Sequence, residues 1–141
     1  MSAKLGFLTL IGIVLMLAVP LSAHHPFSAE YDWKKPVTVS GTVTKVDWSN
    51  PHAHLYVDVK DNSGRAQNWT FELGGIGALS KGGWKKDTIK TGENITIDAW
   101  MSTSKSNMAN VKSVKLPNGR ELWGASSIGE PMPISQAKKS D

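Results

Sequence analysis

The chain has no cysteine among its 141 residues. That absence excludes disulfides, the usual staples of small secreted scaffolds. It also excludes thiolate-based zinc, iron–sulfur and blue-copper sites, as well as anchoring through a lipidated cysteine. The longest strongly apolar run, Leu5–Val19, is 15 residues, short of the roughly 20 that a spanning helix needs. No Gly-x-Ser-x-Gly elbow is present. Gly74-Gly75-Ile76-Gly77 lacks the Lys-Ser/Thr of a P-loop and reads as a turn. The 16 Lys+Arg and 12 Asp+Glu are interspersed, and no basic block marks a nucleic-acid binder.

What is present begins with an export signal. Met1–Lys4 is a short basic start, Leu5–Val19 the apolar stretch, and Pro20 breaks it before Leu21-Ser22-Ala23, a small-residue cleavage site. Residues 1–23 are therefore expected to be a signal peptide, with a periplasmic or secreted bacterial product that has no stable membrane anchor after cleavage. The remaining 118 residues, 24–141, suit one domain with a modest core.

Residues 24–35 have no clear period and are expected to form an N-terminal arm. From Pro36 the pattern turns to β. Val37–Trp48 is rich in Val and Thr, with Gly41 expected at a bulge. Ser49-Asn50-Pro51 signals a turn. His54–Lys60 alternates Leu55, Val57 and Val59 with polar residues. Asp61–Gly64 is a hairpin turn, and Ala66–Leu73 the third strand. Ile76–Lys81 is the one short helix candidate. Two more strands follow at Asn94–Met101 and Ala109–Leu116, then a short one at Arg120–Trp123. Residues 36–124 thus predict an all-β domain, a small five-stranded OB-fold-like Greek-key barrel with one short helix between strands three and four. An immunoglobulin-like sandwich is the rival, disfavoured by that helix. Residues 125–141 are expected to be a loose C-terminal tail.

The segments His24-His25-Pro26-Phe27-Ser28-Ala29-Glu30-Tyr31-Asp32, Gly41-Thr42-Val43, Trp48-Ser49-Asn50-Pro51-His52 and Trp69-Thr70-Phe71-Glu72-Leu73 together resemble a family of exported, uncharacterised proteobacterial proteins classed as a domain of unknown function. The resemblance implies a periplasmic location and carries no activity.

The chemistry must come from the four histidines, which form two pairs, His24-His25 and His52-Ala53-His54. Cleavage after Ala23 would give His24 a free α-amine beside its imidazole, a bidentate chelator. In an extended chain, His52 and His54 project from one face about 6–7 Å apart. An amine with two or three imidazoles resembles the histidine brace of copper proteins, and imidazole also suits zinc and nickel. His24, His25, His52 and His54 are therefore the candidate metal ligands, with copper first and zinc or nickel as alternatives. Glu30, Asp32 and Asp47 are candidate partners for the imidazoles. Met101 and Met108 could serve Cu(I), though core or loop filling is the plainer use of both. The six tryptophans fit a small barrel core and its ends, with Trp33 and Trp48 the exceptions.

These residues predict a metal-binding protein, a carrier, buffer or sensor whose partners are the metal ion and a periplasmic protein. The alternative is a metal-free OB-fold module that binds an envelope ligand or a protein partner. A copper oxidase ranks third, because no substrate surface is evident, and the reading leans against an enzyme.

Overall fold

A computed structural model describes residues 27–126. One helical turn, α1 (Phe27–Glu30), leads into β1 (Tyr31–Asp47). Then follow β2 (His54–Lys60), β3 (Ala66–Glu72), α2 (Ile76–Lys81), β4 (Asn94–Ser102), β5 (Met108–Lys115) and β6 (Glu121–Trp123). The pairing runs β3-β2-β1-β4-β5-β6, and β3 also pairs with β5. That extra contact closes the first five strands into a ring. Among the described residues it is the sole parallel pairing, over Thr70↔Met108, Phe71↔Ala109 and Glu72↔Asn110. A five-stranded closed barrel with a helix between β3 and β4 is the OB-fold-like arrangement, and β6 adds a short flap beside β5.

The barrel closes because β1 is long enough to serve two neighbours. It pairs with β4 from Tyr31 to Thr42 and with β2 from Thr42 to Asp47. Gly41 sits at that change of partner, where a Cβ would run into the Asp58 carbonyl and lie 2.7 Å from Val57 Cγ1. Its small size is required by the close approach of β2. The register slip expected at Gly41 instead falls at Thr44, between Val43 and Lys45. The sequence signal was a glycine, but the reason for it is crowding at a barrel corner.

Alternation decides the two faces. Leu55 and Val57, Phe71, Ile97 and Ala99, Ala109, Val111 and Val114 point inward and are almost fully buried. Leu79 of α2 and Trp84 plug the barrel, and the Trp84 indole N–H donates to the Trp123 carbonyl at 2.8 Å. On the outside, Thr38–Asp98, Ser40–Thr96 and Thr42–Asn94 are hydrogen-bonded across β1 and β4. Such polar cross-strand pairs suit a solvated face.

Beyond one-residue shifts at strand ends, two boundaries differ from the sequence reading. Residues 31–35, expected in the arm, open β1: Tyr31 pairs with Ser102 and Pro36 with Trp100, while Asp32–Lys35 bulges between them. The polar Asp-Trp-Lys-Lys stretch hid the strand because none of it enters the barrel core. Trp33, at 59% the exposed large hydrophobic residue among those described, sits on this bulge. Trp48 instead packs against the core edge. At the other end, Ala125 and Ser126 are buried, and the Gly74 N–H donates to the Gly124 carbonyl at 2.8 Å. The stretch expected as a loose tail thus begins inside the packed domain. Its remainder, 127–141, lies outside the described residues.

Candidate functional site

The second histidine pair lies where the β1–β2 loop enters β2, His52 in the loop and His54 opening the strand, and the loop is clamped. The Asn50–Pro51 peptide is cis. Asn50 Oδ1 accepts the Ile76 N–H at 3.1 Å, tying the loop to α2. Ala53 N–H donates to the Gly74 carbonyl, and Leu73 N–H to the Ala53 carbonyl. Ala53 and Leu55 are fully buried, so the alternation turns His52 and His54 to the outer wall.

Register then brings polar residues from distant segments into one row. His54 of β2 faces Glu72 of β3, and Glu72 faces Asn110 of β5. Each neighbours a core residue in sequence, and each therefore points outward. Glu72 is nonetheless buried, at 8% exposure, as is Asn110 at 2%. The cover comes from the chain before Pro36. Phe27 packs 5.3 Å from the Tyr31 ring and edge-on to Trp100 at 5.9 Å. Thr103 donates its N–H to the Glu30 carbonyl at 2.9 Å, and its hydroxyl reaches the carbonyls of Ala29 and Glu30. The end of the arm is thereby laid along the outer wall.

Four groups converge on the Glu72 carboxylate. The Tyr31 hydroxyl donates to Oε2 at 2.9 Å, and Asn110 Nδ2 donates to Oε1 at 3.1 Å. His52 Nδ1 lies 3.1 Å from Oε1, and His54 Nε2 lies 4.0 Å from Oε2. The imidazoles are the open side of the cluster, their side chains 43% and 26% exposed against 10% for Glu72. Burial first, then the negative charge of Glu72, pushes the Tyr31 hydroxyl well above the ordinary tyrosine value. It therefore stays a donor. Asn110 Oδ1 is buried and receives no donor among the described residues.

The candidate ligands thus divide. His52 and His54 share one carboxylate, whereas His24 and His25 lie outside the described residues. Among the described residues, no group of three or more His, Asp or Glu is placed to hold a metal ion. Asp32 is engaged elsewhere, accepting the Lys34 N–H at 2.9 Å and pairing with Lys35 at 3.6 Å. Asp47 is the β1 partner of His54 in register, and Glu30 is exposed on α1. The carboxylate that faces both imidazoles is Glu72, which the sequence reading did not single out. A signal was available: Glu72 is the one acidic residue of β3, flanked by inward Phe71 and Leu73, so strand period alone turns it outward. Met101 packs against the core, in keeping with the filler role.

The chain belongs to a family of unknown function, DUF6152, whose model matches residues 12–110. Tyr31, His52, His54, Glu72 and Asn110 all fall inside that span. No curated protein matches the chain.

Proposed function

From within a family without an assigned activity, we propose that this is an exported metal-binding protein, with copper the preferred ion and zinc or nickel as alternatives. It acts as a carrier, buffer or sensor in the bacterial periplasm or outside the cell, and hands its ion to a protein partner. His52 and His54 supply imidazole nitrogens. His24, with the α-amine freed by cleavage after Ala23, and His25 supply the remainder.

One observation carries this reading: Tyr31, at the end of the arm, and both histidines of the second pair meet at the same carboxylate. What supports it is that the chain leaving the arm meets, at Tyr31, the carboxylate that both imidazoles face. His24 stands three positions before Phe27, a reach of at most about 10–11 Å. In this reading the free nitrogens of His52 and His54 and the incoming amine share one ion. A tetragonal nitrogen set of this kind favours Cu(II).

The test is direct. The protein is purified from the periplasm, its N-terminus sequenced, and Cu(II) and Zn(II) titrated into it. The reading expects a chain beginning at His24 and binding that collapses in a His52→Ala/His54→Ala variant. A different N-terminus removes the brace, and equal binding by wild type and variant removes the site.

A second reading has its own support. Trp33 is exposed on a bulge, with Lys34 Nζ 5.2 Å from its ring centroid. A metal-free module would offer this face to an envelope ligand or a protein. Ligand-dependent quenching of tryptophan fluorescence that is unaffected by chelator and lost in Trp33→Ala would favour it.

A further inference from the structure

The geometry points to Glu72 as a positioning residue that decides which nitrogen each histidine of the second pair offers to a metal. Its functional meaning rests on the metal reading above, but its structural content belongs to the metal-free protein.

The carboxylate has no freedom to turn. Tyr31 holds Oε2 from the start of β1, and Asn110 holds Oε1 from β5. Both donors are 2% exposed. Asn110 gives its amide N–H to Glu72 while its own Oδ1 finds no donor among the described residues. A buried acceptor without a partner is costly, so the amide is oriented by the need of the carboxylate. Each carboxylate oxygen keeps a further lone pair. Those lone pairs face the histidine side of the cluster.

A neutral imidazole carries one N–H and one lone pair. At His52 the nitrogen facing Glu72 Oε1 is Nδ1, at 3.1 Å. A proton on Nδ1 meets an anionic acceptor, whereas a lone pair there would face another lone pair. His52 is therefore held with the proton on Nδ1 and Nε2 free on its exposed side. At His54 the facing nitrogen is Nε2, 4.0 Å from Oε2. That separation is too long for a hydrogen bond, so the bias is Coulombic and weaker, and it leaves Nδ1 free. The two histidines offer opposite nitrogens to an ion. A carboxylate behind a metal-binding imidazole is the general means by which such rings are oriented.

The test reads tautomers before any metal is added. Uniformly 15N-labelled mature protein, free of metal, is examined by imidazole 15N–1H correlation about two pH units above the usual histidine value of about 6.5. The expected result is a protonated Nδ1 at His52 and a protonated Nε2 at His54. In Glu72→Leu, which removes the acceptor, with an unchanged backbone fingerprint, His52 should return to the Nε2–H form that free histidine prefers. Cu(II) and Zn(II) affinity should then fall about 10- to 100-fold.

His52 protonated on Nε2 in the wild type overturns the proposal. So does a folded Glu72→Leu protein that keeps both the Nδ1–H form and wild-type affinity. The wild-type spectrum decides the tautomer even if the variant fails to fold. A wild type with the assigned tautomers that binds neither metal overturns the metal reading while supporting the role of Glu72.

Discussion

Replacing Tyr31 by Phe should separate the hydrogen bond to Glu72 from the ring packing around it. The contact with Phe27 depends on the ring and survives, and so does the Phe27 contact with Trp100. What is lost is one hydroxyl donor to a buried carboxylate, at 2.9 Å. A hydrogen bond to a charged group contributes about 1.5–3 kcal/mol, and the abandoned Glu72 oxygen has His54 Nε2 at 4.0 Å as its nearest substitute. At neutral pH the variant should be less stable by about that amount. Urea unfolding measures it as a lower midpoint at an unchanged m-value. The pH dependence supplies a second, independent readout. Burial and the Glu72 charge raise the folded-state value of the Tyr31 hydroxyl above the ordinary tyrosine value of about 10. The folded protein therefore holds this proton more tightly than the unfolded chain. The resulting stabilisation is fully present below about pH 10 and declines as pH rises beyond it. Between the unfolded and folded values the loss is about 1.4 kcal/mol per pH unit. The gap between wild type and Tyr31→Phe should thus be constant up to about pH 10 and nearly closed one to two units higher. Lysine titration affects both proteins and cancels in the difference. A variant as stable as wild type at neutral pH, or a gap that stays constant through pH 10–12, would refute the reasoning.

Other consequences are as specific. Gly41→Ala should cost about 1–3 kcal/mol by urea unfolding, because the new Cβ meets the Asp58 carbonyl and Val57 Cγ1; no loss would mean that β2 can withdraw. Phe71→Ala removes a fully buried ring stacked on Trp69 at 5.7 Å. It should destabilise by about 3–5 kcal/mol and shift the tryptophan emission. Thr103→Val removes the hydroxyl that reaches the Ala29 and Glu30 carbonyls. It should speed amide exchange in residues 27–31 while leaving exchange in β2 and β3 at the wild-type rate. Asp61 accepts from the Ser63 hydroxyl and N–H, the Arg65 N–H and Gln67. The Ser63 hydrogen bond is the largest cause of its lowered value. A carboxyl 13C titration should place Asp61 below 3.8, and Ser63→Ala should raise it.

The strands were legible wherever one face meets the core. His54–Lys60 and Ile76–Lys81 match the sequence reading residue for residue, because period 2 and a glycine-bounded apolar patch are local signals. Residues 31–35 were not legible, since their place in β1 depends on the distant β4, through Tyr31↔Ser102 and Pro36↔Trp100, and not on any alternation of their own. The candidate site divides in the same way. That His52 and His54 share a face follows from their spacing. That Glu72 stands behind them follows from a β2–β3 register that no single segment displays.

Local physics thus determined the β class, the order of the elements, the turn and the paired histidines, because side-chain period and turn chemistry act over a few residues. Only the tertiary structure decided that Tyr31, Glu72 and Asn110 would meet. Their contacts span 38 and 41 residues of chain, and they exist because the barrel closes through a parallel β3–β5 pairing. Closure lays the arm over an outward carboxylate and buries it, and burial gives that carboxylate its hold on the neighbouring imidazoles.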